Sequence, residues 1–101
     1  MPADNAPMNE PENEVVITPR AADVLRRGLD AARLDPSAFG VRVWVAAGQA
    51  RSGFADEPER GDTTVEAGGM RIFVNESVTQ DGPAAIDVSA EHDQIVVVPL
   101  D

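Results

Sequence analysis

From Val41 onward, apolar residues recur at every second position. Val41-Arg42-Val43-Trp44-Val45 alternates cleanly, and Met70 to Val74 returns to the same rhythm. Strand side chains point alternately to two faces, so this period belongs to strands with one buried face. A helical period occurs once, earlier, where Ala21, Leu25, Leu29 and Ala32 fall three or four residues apart. One helix ahead of several strands in 101 residues makes a single domain with one modest core. The expectation is an α+β fold, predominantly β: a small twisted sheet or sandwich carrying one N-terminal amphipathic helix.

Turn and cap residues divide the chain further. Residues 1–14 carry three prolines, three asparagines and four acids with almost nothing to bury, which predicts a disordered acidic tail and a domain over 15–101. Val15-Val16-Ile17 reads as a short strand. Thr18-Pro19 then opens the helix, the threonine capping free amides and the proline sitting where no amide bond is lost. Gly28 suggests a close helix–sheet contact, and Asp35-Pro36 ends the helix near Leu34. Residues 48–62, with three glycines, a proline and dense charge, read as a loop. Thr63 to Ala67 and Met70 to Val74 form a hairpin around Gly68-Gly69. Asn75 to Pro83 is irregular or a single helical turn. Ala84–Ser89 and Gln94–Pro99 form a last hairpin across His92-Asp93, and the run Ile95 to Val98 predicts a strand buried on both faces.

Charge excludes several function classes. Eighteen carboxylates against eight arginines, with no lysine, give a net charge of −10. Such a chain repels nucleic-acid phosphates and anionic membranes. No cysteine is present, hence no disulfide, no thiolate nucleophile and no thiolate ligand. The N-terminus lacks a basic start followed by an apolar run, so a cytoplasmic location is expected.

The order of elements nevertheless resembles a known family. Ile17-Thr18-Pro19-Arg20-Ala21-Ala22 opens the helix; Gly40-Val41-Arg42-Val43-Trp44-Val45 follows, then Gly48-Gln49 and Ser52-Gly53. Ile72-Phe73-Val74-Asn75, Ser77 and Gly82-Pro83-Ala84-Ala85-Ile86-Asp87-Val88 complete the pattern. Together these are similar to the HesB-like, or A-type iron–sulfur carrier, family. The resemblance implies that family's fold and a cluster held by three cysteines. The first would fall near Gln49, and the other two belong to a Cys-x-Cys tail after the final strand. Here all three are missing. Soft thiolates bind iron and sulfide, and an amide oxygen is a poor substitute, so no cofactor is assigned.

No catalytic residue and no metal ligand is assigned either. His92, between Glu91 and Asp93, reads as a solvated hairpin tip. Asp56, Glu57, Glu59 and Asp62 offer oxygen ligands for a hard cation but lack the spacing of a calcium loop. The candidate site is a surface. If Val41, Val43 and Val45 face the core, then Arg42 and Trp44 share the opposite face, joined by Arg71 and Phe73 from the neighbouring strand; arginine with aromatics is the composition of interface hot spots. The resulting expectation is a non-enzymatic, cysteine-less HesB-like domain acting as a binding or adaptor module. Its partners would be iron–sulfur assembly or client proteins. The alternatives are a small-molecule or hard-metal binding domain using the 56–62 loop, and a self-associating homo-oligomer.

Overall fold

A computed structural model describes residues 14–89, 91 and 94–100 of the chain. The element order is β1 (Val15–Ile17), α1 (Pro19–Ala31), β2 (Gly40–Ala46), β3 (Gln49–Ala55), β4 (Asp62–Ala67), β5 (Met70–Asn75), β6 (Ala84–Val88) and β7 (Ile95–Pro99), with a 3-10 turn at Glu76–Val78 between β5 and β6. The predominantly β, one-helix architecture is as the sequence predicts. The strands form two mixed sheets, one of three strands in the order β1-β6-β7 and one of four in the order β3-β2-β5-β4.

The helix starts as its sequence requires. The Thr18 hydroxyl accepts from the Ala21 amide at 3.2 Å, and donates to Asp87 Oδ1 on β6 at 2.8 Å. One cap residue thus ties the helix to the three-stranded sheet. Ala21, Ala22, Leu25 and Leu29 are buried, each leucine contributing on the order of 2 kcal/mol of apolar burial. The helix ends at Ala31, short of the expected Leu34. Arg33 reverses the chain at φ 62°, its amide donating to Asp30 O while that of Leu34 donates to Leu29 O. These bonds satisfy carbonyls that a further helical turn would have used.

Inward-facing residues of both sheets meet the helix stripe in one core that includes Leu25, Leu29, Val41, Val43, Ile72 and Ile86. The 3-10 turn fits the single helical turn expected between Asn75 and Pro83.

Two expectations need correction. Residues 49–55 are not loop but strand β3, paired along its whole length with β2 from Gly40↔Ala55 to Ala46↔Gln49. Its sequence, QARSGFA, lacks apolar alternation because it is an edge strand: on the face it shares with the inward valines of β2, Ala50 is partly buried and Ser52 and Phe54 are exposed. Ladder pairing holds it in place, seeded by the two-residue turn Ala47-Gly48 with φ of 54° and 76°. Second, β7 is not buried on both faces. It lies at a sheet edge, and Val98 keeps 43% of its surface exposed. His92 lies outside the described residues, as does the predicted tail except for Glu14, whose carbonyl accepts from the Ala84 amide.

Candidate functional site

The four-stranded sheet has its valine face on the core and its other face turned away. Register sets the occupants of that outer face. Arg42 on β2 lies beside Phe73 on β5, Trp44 is opposite Arg51 on β3, and Arg71 is opposite Glu66 on β4. The four residues singled out in the sequence therefore share one face. They do not share one environment. Arg42, Trp44 and Arg71 are half-buried, whereas Phe73 has no exposed surface although it belongs to no part of the main core. Phe73 is the floor of this face and offers nothing for a partner to touch, which corrects its place in the expected surface.

Guanidinium groups lie over both rings. Arg71 sits 5.4 Å from the Phe73 centroid and Arg42 5.2 Å from that of Trp44, within the range of cation–π attraction. A glycine lies against each ring, and only Gly40 is required by the packing. At Gly40 an added Cβ would overlap the Arg71 carbonyl oxygen and come to 3.0 Å from Phe73 Cε2. At Gly53 it would stand 3.5 Å from the Trp44 ring, so the indole lies across open backbone on β3.

Asp62 fixes the arrangement. Its carboxylate, with no exposed side-chain surface, accepts from Arg42 Nε at 2.8 Å and from Arg42 Nη2 at 3.3 Å. The Glu59 amide at 2.8 Å and Asn75 Nδ2 at 3.1 Å complete its shell. Burial alone pushes the Asp62 pKa up, the largest single influence. The hydrogen bonds from Arg42, the Glu59 amide and Asn75 together outweigh it, and the carboxyl titrates below the ordinary aspartate value. The hydrogen bond to Asp62 in turn raises the Arg42 pKa. Arg42 is thus a neutralised platform for Trp44, with Glu59 at 3.6 Å as a looser second partner. In sequence Asp62 falls in a charged, loop-like stretch, and only its register opposite Asn75 reveals this role. The same geometry tells against a hard-cation site: among the described residues no three acids or histidines converge, and Asp62 is already fully bonded. Arg51 also joins this face, from a strand whose sequence has the composition of a loop.

A separate cleft of about 520 Å³ opens between β7 and the start of β3, with Val45, Gln49, Ser77, Gln94 and Pro99 on its walls. The exposed Gln49, near which the resemblance would put the first cysteine, and the last strand, which the Cys-x-Cys tail would follow, border this one cleft.

Comparison with known proteins agrees with the architecture. SufA of Escherichia coli, involved in biosynthesis of iron–sulfur clusters, superposes with a TM-score of 0.60 at 21% identity, over 91% of this chain and 93% of that one. A protein from Aquifex aeolicus solved in solution gives 0.61 at 17% identity, over 92% and 100%. The fold is that of the A-type iron–sulfur carriers. IscA bearing a [2Fe-2S] cluster aligns over 82% of this chain with a lower score of 0.44. No family model and no curated protein matches the chain by sequence.

On this carrier fold the cleft does not fit a cluster. Its polar groups are amides, a hydroxyl and the carboxylate of Asp81, and its remaining walls are aliphatic or backbone. Hard or neutral oxygen donors do not replace thiolates on iron and sulfide.

Proposed function

We propose that this chain is a non-enzymatic, cysteine-less member of the carrier fold that serves as a cytoplasmic binding or adaptor module for proteins of iron–sulfur assembly or their clients. The observation that carries this reading is Trp44, held half-exposed on the outer sheet face by an Arg42 that Asp62 locks in place. A charge network around a covered carboxylate costs desolvation and adds little net stability relative to an apolar core. Its use here is to present an aromatic side chain in one orientation, as interface anchors require. The carrier fold supplies the expected partner class.

The test compares partner capture from the native lysate by the intact chain and by Trp44→Ala, with circular dichroism confirming that the variant is folded. Phe73 is left unchanged because it is buried. Enrichment of iron–sulfur proteins that disappears with Trp44→Ala is the expected result. Equal enrichment by both chains would refute the surface. Stoichiometric iron and acid-labile sulfide in anaerobically isolated protein would refute the reading that this chain carries no cluster.

A further inference from the structure

We infer that the outer sheet face recognises an extended acidic segment of its partner, with two carboxylates spaced about four to six residues apart around an apolar side chain. The inference rests on the surface proposed above and names the chemistry of its occupant. Three arginines lie on this face, but they are not equivalent. Arg42 is neutralised by Asp62 and Glu59. Arg51 and Arg71 have no ion-pair partner among the described residues, in a chain whose net charge is −10. Unpaired guanidinium groups on an otherwise acidic molecule are where an anionic partner gains contact without displacing an existing pair.

Strand register gives the spacing. Arg51 stands opposite Trp44, while Arg71 lies on β5 two residues before Phe73, the neighbour of Arg42. The two arginines therefore occupy opposite corners of the patch, two strands apart and four residues apart along the strand direction. With strands about 4.8 Å apart and a rise of about 3.3 Å per residue, the diagonal is roughly 16 Å. An extended chain covers that distance in about five residues. Between the corners lie the Trp44 ring and the flat Arg42 guanidinium, a platform for one apolar side chain. Glu66, opposite Arg71 but in no ion pair with it, is the exposed carboxylate that would repel a ligand at that corner.

The test is a titration of the intact chain with three synthetic peptides that differ only at two positions five residues apart around a leucine: glutamate, glutamine or lysine. Trp44 is the sole tryptophan, so its emission reports on the patch. The glutamate peptide is expected to give a saturable, salt-sensitive change that the other two do not. Arg51→Gln with Arg71→Gln should weaken it by about fivefold or more. Glu66→Gln should strengthen it, and Arg20→Gln with Arg33→Gln, off this face, should leave it unchanged. Equal binding of the glutamine peptide, or no saturable change with the glutamate peptide, would overturn the inference. Lysate capture separates the two levels of the argument. Loss with Trp44→Ala but not with Arg51→Gln/Arg71→Gln would sink the acidic ligand alone, whereas capture untouched by Trp44→Ala would sink the surface itself.

Discussion

Removing either partner of the Arg42–Asp62 pair should cost far more stability than an ordinary surface ion pair, and the two losses should be unequal. The Asp62 side chain has no exposed surface and that of Arg42 has 18%. Exposed ion pairs contribute about 0–1 kcal/mol, whereas stripping one partner from a buried, hydrogen-bonded pair costs about 3–5 kcal/mol. Arg42→Ala leaves a covered carboxylate with only the Glu59 amide and the Asn75 side chain, and it uncovers one side of Trp44. A loss of about 3–4 kcal/mol is expected. Asp62→Ala leaves Arg42 partly hydrated and still 3.6 Å from Glu59, so about 2–3 kcal/mol is expected. The double variant should lose less than the sum by about 2 kcal/mol, because the second substitution removes the group that the first left unpaired. Urea unfolding followed by far-UV circular dichroism reads all three. At slopes of about 1–2 kcal/mol per molar, a 3 kcal/mol loss moves the midpoint by about 1.5–3 M. The pH dependence has a definite sign. Since the folded pKa of Asp62 is depressed, its contribution is complete above the unfolded value of about 3.9 and is lost as pH falls through the lower folded value. Asp62→Asn should therefore flatten the acid limb of the stability profile. Single losses below about 0.5 kcal/mol that add without coupling would refute the claim that this pair organises the face.

Three further substitutions test the backbone argument, each by denaturant midpoint. Gly40→Ala should destabilise by about 2–4 kcal/mol, because the new methyl overlaps the Arg71 carbonyl and presses on buried Phe73; a neutral result would mean β2 and β5 can separate at little cost. Gly28→Ala should stabilise by about 0.5–1 kcal/mol, since the added Cβ meets only Phe54 Cζ at 3.9 Å, an ordinary contact, while the helix gains propensity. Ala47→Asn should also stabilise, by about 0.5–1 kcal/mol, because Ala47 holds φ 54° in a turn that asparagine adopts more readily; a loss there would argue against the tight β2–β3 turn.

The parts of this fold written in apolar periodicity were legible in the sequence. The helix stripe through Leu25 and Leu29, the alternation of β2 and β5, and the Gly68-Gly69 hairpin all follow from which side chains must be buried. Strand β3 was not legible, because an edge strand made of Gln49, Arg51, Ser52 and Gly53 is held by backbone pairing, and pairing leaves no trace in composition. The candidate face divides in the same way. Alternation places Arg42 with Trp44, but it cannot tell that Phe73 is the buried floor and Trp44 only half-buried. That distinction depends on the close approach of β2 and β5 at Gly40, where a side chain would meet the Arg71 carbonyl and Phe73. Asp62 was hidden for a related reason: its partners Arg42 and Asn75 lie 20 and 13 residues away, a separation that only the closed sheet brings to hydrogen-bond distance.

Placement also explains how a carrier fold can exist without its ligands. Gln49 and Pro99, which border the cleft, are both exposed, while the fully buried side chains Leu29, Val41, Val43, Ile72 and Ile86 lie in the core. Substitutions at the cleft rim therefore cost little apolar burial, and the scaffold's stability does not depend on the residues that stand there. The outer face behaves oppositely. Its Arg42–Asp62 network buries charge without enlarging the main core, and an apolar pair of similar volume would fold at least as well. A chain shaped only by folding has reason to replace such a network and no reason to keep Trp44 half-exposed beside it. Replacing Arg42 and Asp62 together with leucine and alanine separates the two demands. Stability should hold to within about 1–2 kcal/mol of the parent, while Trp44, no longer clamped, loses its fixed orientation and acrylamide quenches its emission more readily. A variant that keeps both stability and Trp44 protection would show the network to be dispensable, and the surface would then lose its main physical support.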